Sequence, residues 1–99
     1  MKLARVYPIV DSSAWISRLA PLGIRLVQLR IKERPADEVR DEIRAARPLC
    51  AAAGMQLIVN DYWEIALEQA CDFVHLGQDD LAQADLAALR RAGVRLGIS

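Results

Sequence analysis

Three stretches of this 99-residue chain carry side chains suited to holding a metal-bound diphosphate, cations for the phosphates and carboxylates for the metal. In Gln28-Leu29-Arg30-Ile31-Lys32, strand alternation sends Gln28, Arg30 and Lys32 to one side of the backbone, so an amide and two cations converge. Arg presents a planar fork to phosphate oxygens and Lys adds a mobile point charge, a pair that suits a diphosphate. Asn60-Asp61 and His75-Leu76-Gly77-Gln78-Asp79-Asp80 place carboxylates just beyond two further apolar runs. Asp61 and Asp80 are positioned to share one Mg²⁺, a cation usually held by one or two protein carboxylates with phosphate oxygens and water completing an octahedron. Each stretch has a plainer alternative: a strand ending in solvated cations, a helix cap at Asp61, and a turn at Asp79-Asp80. His75, the single histidine, reads as a satisfied interior residue, because no Ser, Cys or carboxylate is spaced to make a triad with it. Trp15, Tyr62 and Trp63 read as packing aromatics, and Gly97 as a place where backbone or ligand approaches closely.

The elements that must position these groups alternate between β-type runs and amphipathic segments. Strands are expected at about 4–10, 26–30, 56–60, 73–76 and 95–99. A first helix follows the N-cap candidates Asp11, Ser12 and Ser13 and stops at Gly23. A second starts near Pro35 with Val39, Ile43, Ala46, Cys50 and Ala53 on its inner face, and Pro48 predicts a kink or a break in it. A short third helix covers about 62–69, and a fourth about 85–92, capped by Asp85, stopped by Gly93 and carrying Arg90 and Arg91 in its last turn.

Parallel strands joined by right-handed helical crossovers leave an open doubly wound sheet or a (βα)₈ TIM barrel. The barrel is favoured, because the last inward residues of four strands are polar: Arg30, Asn60, His75 and Ser99. A catalytic barrel collects its chemistry at the C-terminal strand ends in this way. The fold class is therefore α/β, with residues 1–99 forming the N-terminal half of one barrel domain, about the first four and a half βα units. A full barrel takes ~250 residues, so the edges of the first and fifth strands, with Val6, Val10, Leu96 and Ile98, are expected to be unpaired and to promote self-association.

Composition narrows the partners. Thirteen basic and thirteen acidic residues cancel, so no broad basic field draws in nucleic acid or an anionic membrane, and phosphate recognition has to be local. No apolar run suits a signal peptide or a membrane span, which makes a cytoplasmic location the expectation. Cys50 and Cys71 fit no metal-binding spacing and read as buried, inert thiols.

Tyr7-Pro8-Ile9-Val10-Asp11, Gln28-Leu29-Arg30-Ile31-Lys32, Ile58-Val59-Asn60-Asp61-Tyr62-Trp63, Val74-His75-Leu76-Gly77-Gln78-Asp79-Asp80-Leu81 and Leu96-Gly97-Ile98-Ser99 together resemble the N-terminal half of the thiamine phosphate synthase family. The resemblance implies a Mg²⁺-dependent transferase that joins a pyrimidine diphosphate to a thiazole phosphate. It implies that Gln28, Arg30, Lys32 and Asn60 bind the pyrimidine diphosphate, that Ser99 contacts the pyrimidine, and that Asp61 and Asp80 hold Mg²⁺. Asp79 and Ile31 depart from common family residues but fall between these positions. The thiazole phosphate loops belong to the family's second half, so the 99 residues alone are expected to be inactive. Two alternatives stand beside this: a thiazole tautomerase of the same fold, against which Arg30, Lys32, Asp61 and Asp80 argue, and a non-catalytic half-barrel that binds diphosphate.

Overall fold

The computed structural model describes residues 7–78 and 84–98. In chain order these form β1 (Ile9–Val10), α1 (Ala14–Leu19) with a 3₁₀ turn at Ala20–Leu22, β2 (Leu26–Leu29), α2 (Ala36–Ala53), β3 (Gln56–Asn60), α3 (Trp63–Glu68), β4 (Phe73–Leu76), α4 (Leu86–Arg91) and β5 (Arg95–Ile98). The five strands lie side by side in chain order, and every neighbouring pair is parallel. A doubly wound sheet reverses its strand order at a switch point. Here each crossover steps in the same direction, as in the wall of a barrel, so this is an α/β fold with part of a TIM-barrel-like domain.

Register then sorts the side chains into two faces. Val10 pairs with Leu29, Leu29 with Val59, Val59 with Val74 and Val74 with Leu96. This row, with Val27, Leu57 and Leu76, packs into one core with Ile16 of α1, Val39, Ile43, Ala46 and Cys50 of α2, and Ile65 and Ala66 of α3. Each large aliphatic side chain so buried contributes ~1.5–3 kcal/mol. The opposite row runs Ile9, Gln28 and Ile58 lower down, then Asn60, His75 and Gly97 nearer the strand ends. That face is polar where the helix face is not, as the alternation predicts. At the other end of the strands, Arg95 stacks 4.8 Å from the Phe73 ring and donates to Gln56 Oε1 at 2.6 Å, while Gln56 Nε2 donates to Asp72 Oδ1 at 2.9 Å. Those contacts fasten the end of the sheet away from the candidate chemistry.

Several expectations need correcting. Helix α2 runs unbroken through Pro48, and its predicted break is absent. Proline removes only the bond to the carbonyl of Arg44, and both residues lie on the exposed side, where water can take that carbonyl. The helix does start at Pro35, which is its N-cap, but Ala53 is exposed, so the apolar stripe ends at Cys50. Ser13 is the N-cap of α1 but makes no side-chain cap bond; its own N–H donates instead to Glu42 Oε1 at 2.8 Å. Trp15 is not a core aromatic: it is 44% exposed, with Arg18 lying 5.2 Å from its ring centroid. Tyr62 and Trp63 do pack against the core. In β1 only Ile9–Val10 is regular, although Gln28 N–H already donates to Pro8 O at 3.0 Å. Residues 4–6 of that expected strand, Val6 included, lie outside the described residues. Helix α4 follows the sequence closely, with Asp85 accepting from the Ala88 N–H at 2.9 Å and Gly93 at φ 74° just past its end.

Candidate functional site

The β2–α2 connection begins with the stretch that carries the cations. Ile31 is buried in the helix-side core while Arg30 and Lys32 are exposed, so the alternation of β2 persists three residues past its end, through Lys32. The Arg30 N–H donates to Val10 O at 2.8 Å, which ties the start of this loop to β1. Glu33 then turns the chain at φ 54°, a left-handed conformation uncommon outside glycine and asparagine. Arg30 and Lys32 consequently line the same cavity of about 750 Å³, whose rim also carries Asp11 and Arg34 and whose apolar lining includes Ile9 and Trp15. Among the described residues neither Arg30 nor Lys32 has an ion-pair partner. Arg30 and Lys32 against Asp11, with Arg34 paired to Glu42, leave this mouth the local positive charge that a neutral chain otherwise lacks.

Gln28 and Asn60 sit beside this mouth on the inner face, 5% and 8% exposed. Gln28 Nε2 donates to Tyr7 Oη at 3.2 Å, which fixes the orientation of the amide. Leu29 pairs with Val59, so the next residues, Arg30 and Asn60, leave adjacent strands at the same level. Asn60 pairs in turn with His75, and His75 with Gly97. A Cβ on Gly97 would lie 2.8 Å from His75 Nδ1, so the close approach expected at this glycine is made by the histidine ring. Half-buried His75 occupies the interior row as expected.

Asp61 follows at once and has an unusual backbone, with φ 72°. Its N–H donates to His75 O at 2.9 Å, and the Tyr62 N–H turns back to Asn60 O at 3.0 Å. The N-cap of α3 is Tyr62, without a side-chain cap bond, so capping does not account for Asp61. Its half-buried carboxylate has no ion-pair or hydrogen-bond partner among the described residues, and an aspartate held left-handed costs roughly 1–2 kcal/mol. Asp61 lines a different cavity from Arg30 and Lys32, one of about 640 Å³ beside Arg40, Trp63 and Glu68. There Arg40 Nε donates to Glu68 Oε2, bridging α2 and α3. The bond and the charge of Glu68 raise the Arg40 pKa, and the same bond, with one from Gln69, lowers that of Glu68.

The structure thus gathers Arg30 and Lys32 on one cavity, places Gln28 and Asn60 on the face beside it, and sets Asp61 around the end of β3. Asp79, Asp80 and Ser99 lie outside the described residues. A single half-buried carboxylate with free acceptor capacity suits Mg²⁺, which keeps much of its water and rarely takes an all-protein cage. Among the described residues no three His, Cys, Asp or Glu side chains cluster as such a cage. Sequence reasoning missed Arg34 and Tyr7 and treated Asp11 only as a cap. Asp11 had a signal, since it follows its strand as Asp61 follows β3; Tyr7 had none.

The two cysteines are buried at 2% and 7% exposure and line a third cavity of about 250 Å³. Burial pushes both thiols up to about 11, helped at Cys50 by its neighbour Cys71 and opposed at Cys71 by Arg47. No helix is long and apolar enough to cross a membrane among the described residues.

Comparison with known proteins points the same way. A family model described as thiamine monophosphate synthase matches residues 6–99. A thiamine-phosphate synthase of Rhizobium etli is 61% identical over 99 residues, covering 100% of this chain and 48% of that protein. Those of Klebsiella pneumoniae and Photorhabdus laumondii are each 50% identical over 94 residues, covering 95% of this chain and 44% of theirs. The chain spans about half the length of the curated relatives it matches.

Proposed function

Because the chain belongs to the thiamine monophosphate synthase family, we propose that it forms the pyrimidine-diphosphate and Mg²⁺ side of a thiamine phosphate synthase. The reaction joins 4-amino-2-methyl-5-hydroxymethylpyrimidine diphosphate to a thiazole phosphate and releases diphosphate. The observation that supports this reading best is the shared cavity of Arg30 and Lys32, two cations without ion-pair partners among the described residues. Arg30 and Lys32 bind the diphosphate oxygens and stabilise the negative charge that grows as the C–O bond to the methylene carbon breaks. Gln28 and Asn60 orient the substrate from the inner face, and Ser99 contacts the pyrimidine. Asp61 and Asp80 would hold Mg²⁺, which when bound supplies charge neutralisation on the leaving diphosphate. The amino group of the pyrimidine delocalises positive charge at the reacting carbon, so no nucleophile or general base is required of the chain. The setting proposed is the cytoplasm.

The same reading assigns the 99 residues binding without turnover, since the thiazole phosphate site is expected from the remaining half of the family's length. It also has the chain self-associate through β1 and β5, the outer strands of the sheet, where Ile9 is 56% exposed. A coupling assay with both substrates, run on this chain and on a form of the family's full length, tests the proposal. Turnover by the long form and Mg²⁺-dependent diphosphate binding by the short one are expected. Diphosphate affinity that is indifferent to Mg²⁺, and unchanged by Asp61→Asn, would remove Asp61 from the metal role.

A further inference from the structure

Beside β1 and α1, two loops line the mouth cavity beyond the bond from Arg30 N–H to Val10 O: residues 11–13 after β1, through Asp11, and residues 30–35 after β2, through Arg30, Ile31, Lys32 and Arg34. One side chain reaches both. Glu42, in the second turn of α2 and beside buried Val39 and Ile43, accepts the Ser13 N–H on Oε1 at 2.8 Å, and its Oε2 lies 3.8 Å from Arg34 Nη1. Ser13 stands two residues after Asp11, and Arg34 two after Lys32; Asp11, Lys32 and Arg34 all line the cavity. We propose that Glu42 is a positioning residue, whose single carboxylate joins the β1–α1 and β2–α2 loops and so sets the distance between the two sides of the cationic mouth.

The physical reasons are specific to this placement. The Ser13 N–H is one of the donors at the start of α1 that no intrahelical carbonyl takes, and the Ser13 hydroxyl caps none of the N–H groups that follow. An ionised acceptor makes the stronger kind of hydrogen bond, and the Glu42 side chain is 23% exposed, so screening is incomplete. The Arg34 contact is weaker, with Arg34 44% exposed. Its 3.8 Å separation makes it a Coulombic attraction and not a hydrogen bond, one that draws the carboxylate toward the β2–α2 loop while its other oxygen stays on Ser13. Ile31 is buried in the core and only Glu33, at φ 54°, separates Lys32 from Arg34, so a shift of Arg34 is transmitted over a short length of chain. The consequence for diphosphate binding rests on the function proposed above; the tie between the loops does not.

Amide hydrogen exchange of the unliganded chain decides the tie. Arg34→Ala changes only the β2–α2 loop, yet Ser13 N–H exchange should quicken by about 2- to 5-fold, the size of an exposed ion pair. Glu42→Gln keeps an oxygen for Ser13 but loses both the Arg34 pair and the charge that strengthens the Ser13 bond, so it should quicken exchange at least as much as Arg34→Ala, and adding Arg34→Ala to it should change nothing further. Glu42→Ala should quicken Ser13 exchange by at least ~10-fold, the loss of a bond to a charged acceptor. If Ser13 exchange is indifferent to Arg34→Ala, or if the Arg34→Ala effect persists at full size with Gln at position 42, the two loops are independent and the inference is wrong. Calorimetry with Mg²⁺ and inorganic diphosphate as the probe adds the link to the site. Glu42→Gln should weaken binding by about 3-fold, whereas Arg44→Ala, on the same helix but exposed and paired with Asp41, should leave it unchanged. Failure of the unaltered chain to bind diphosphate would refute the proposed function, with the exchange result still deciding the role of Glu42.

Discussion

Replacing Gly97 by alanine tests how tightly the inner row of the sheet is packed. The added Cβ would lie 2.8 Å from His75 Nδ1, where ordinary van der Waals contact begins at 3.4 Å, and would also meet Phe73 Cε1 at 3.6 Å. The contact falls on Nδ1, next to the carbon by which the ring is attached and not at the far end of a long side chain, so the ring or the strand must shift to relieve it. Overpacking of this kind costs ~1–3 kcal/mol, while alanine in place of a strand glycine returns ~0.5–1 kcal/mol of conformational entropy. The clash therefore wins, and Gly97→Ala should destabilise the chain by about 1–2 kcal/mol. Urea unfolding followed by the fluorescence of Trp15 and Trp63, at matched protein concentration, should show the midpoint falling by about 0.5–1.5 M with an unchanged slope. The same substitution on a His75→Ala background should be neutral or slightly stabilising, since the ring it collides with is gone. Gly97→Ala as stable as the unaltered chain, or an undiminished penalty without the histidine ring, would refute the packing argument.

Asp85→Ala removes the side-chain cap of α4, and should cost about 1 kcal/mol by urea unfolding, with Asp85→Asn losing much less. The buried thiols add a pH dependence: Cys50 and Cys71 are raised from 9.0 to about 11, so the folded state keeps protons that the unfolded state releases. Their contribution is intact below pH 9 and drains away as pH climbs to about 11, which thermal melts between those limits should record as a falling midpoint. Cys50→Ala with Cys71→Ala should flatten that alkaline slope. Light scattering across a dilution series should find an associated chain that dissociates and loosens together, and a stable monomer at low micromolar concentration would contradict the proposed pairing of β1 and β5.

What the sequence determined alone was mostly local. Alternation in Leu26–Leu29, Gln56–Asn60 and Phe73–Leu76 announced both the strands and which residues face the helices. The spacing of Val39, Ile43, Ala46 and Cys50 announced the buried stripe of α2. Asp85 and Gly93 marked the limits of α4. These signals were legible because periodicity and capping act within a few residues. The juxtaposition of Arg30 with Lys32 was legible for the same reason, since one strand's alternation carries both. Tertiary structure decided what depends on distant neighbours. Pro48 could remain inside a helix only because its freed carbonyl lies on the solvent side, and the start of α1 is satisfied by Glu42, 29 positions away, where the sequence offered three nearer caps. Trp15 became a cavity wall and not a core residue because nothing described covers it beyond β1. Asp61 lines a cavity other than that of Arg30 and Lys32 and has a left-handed backbone, and an angle of that kind in an aspartate leaves no mark in a pattern of hydrophobic and polar residues.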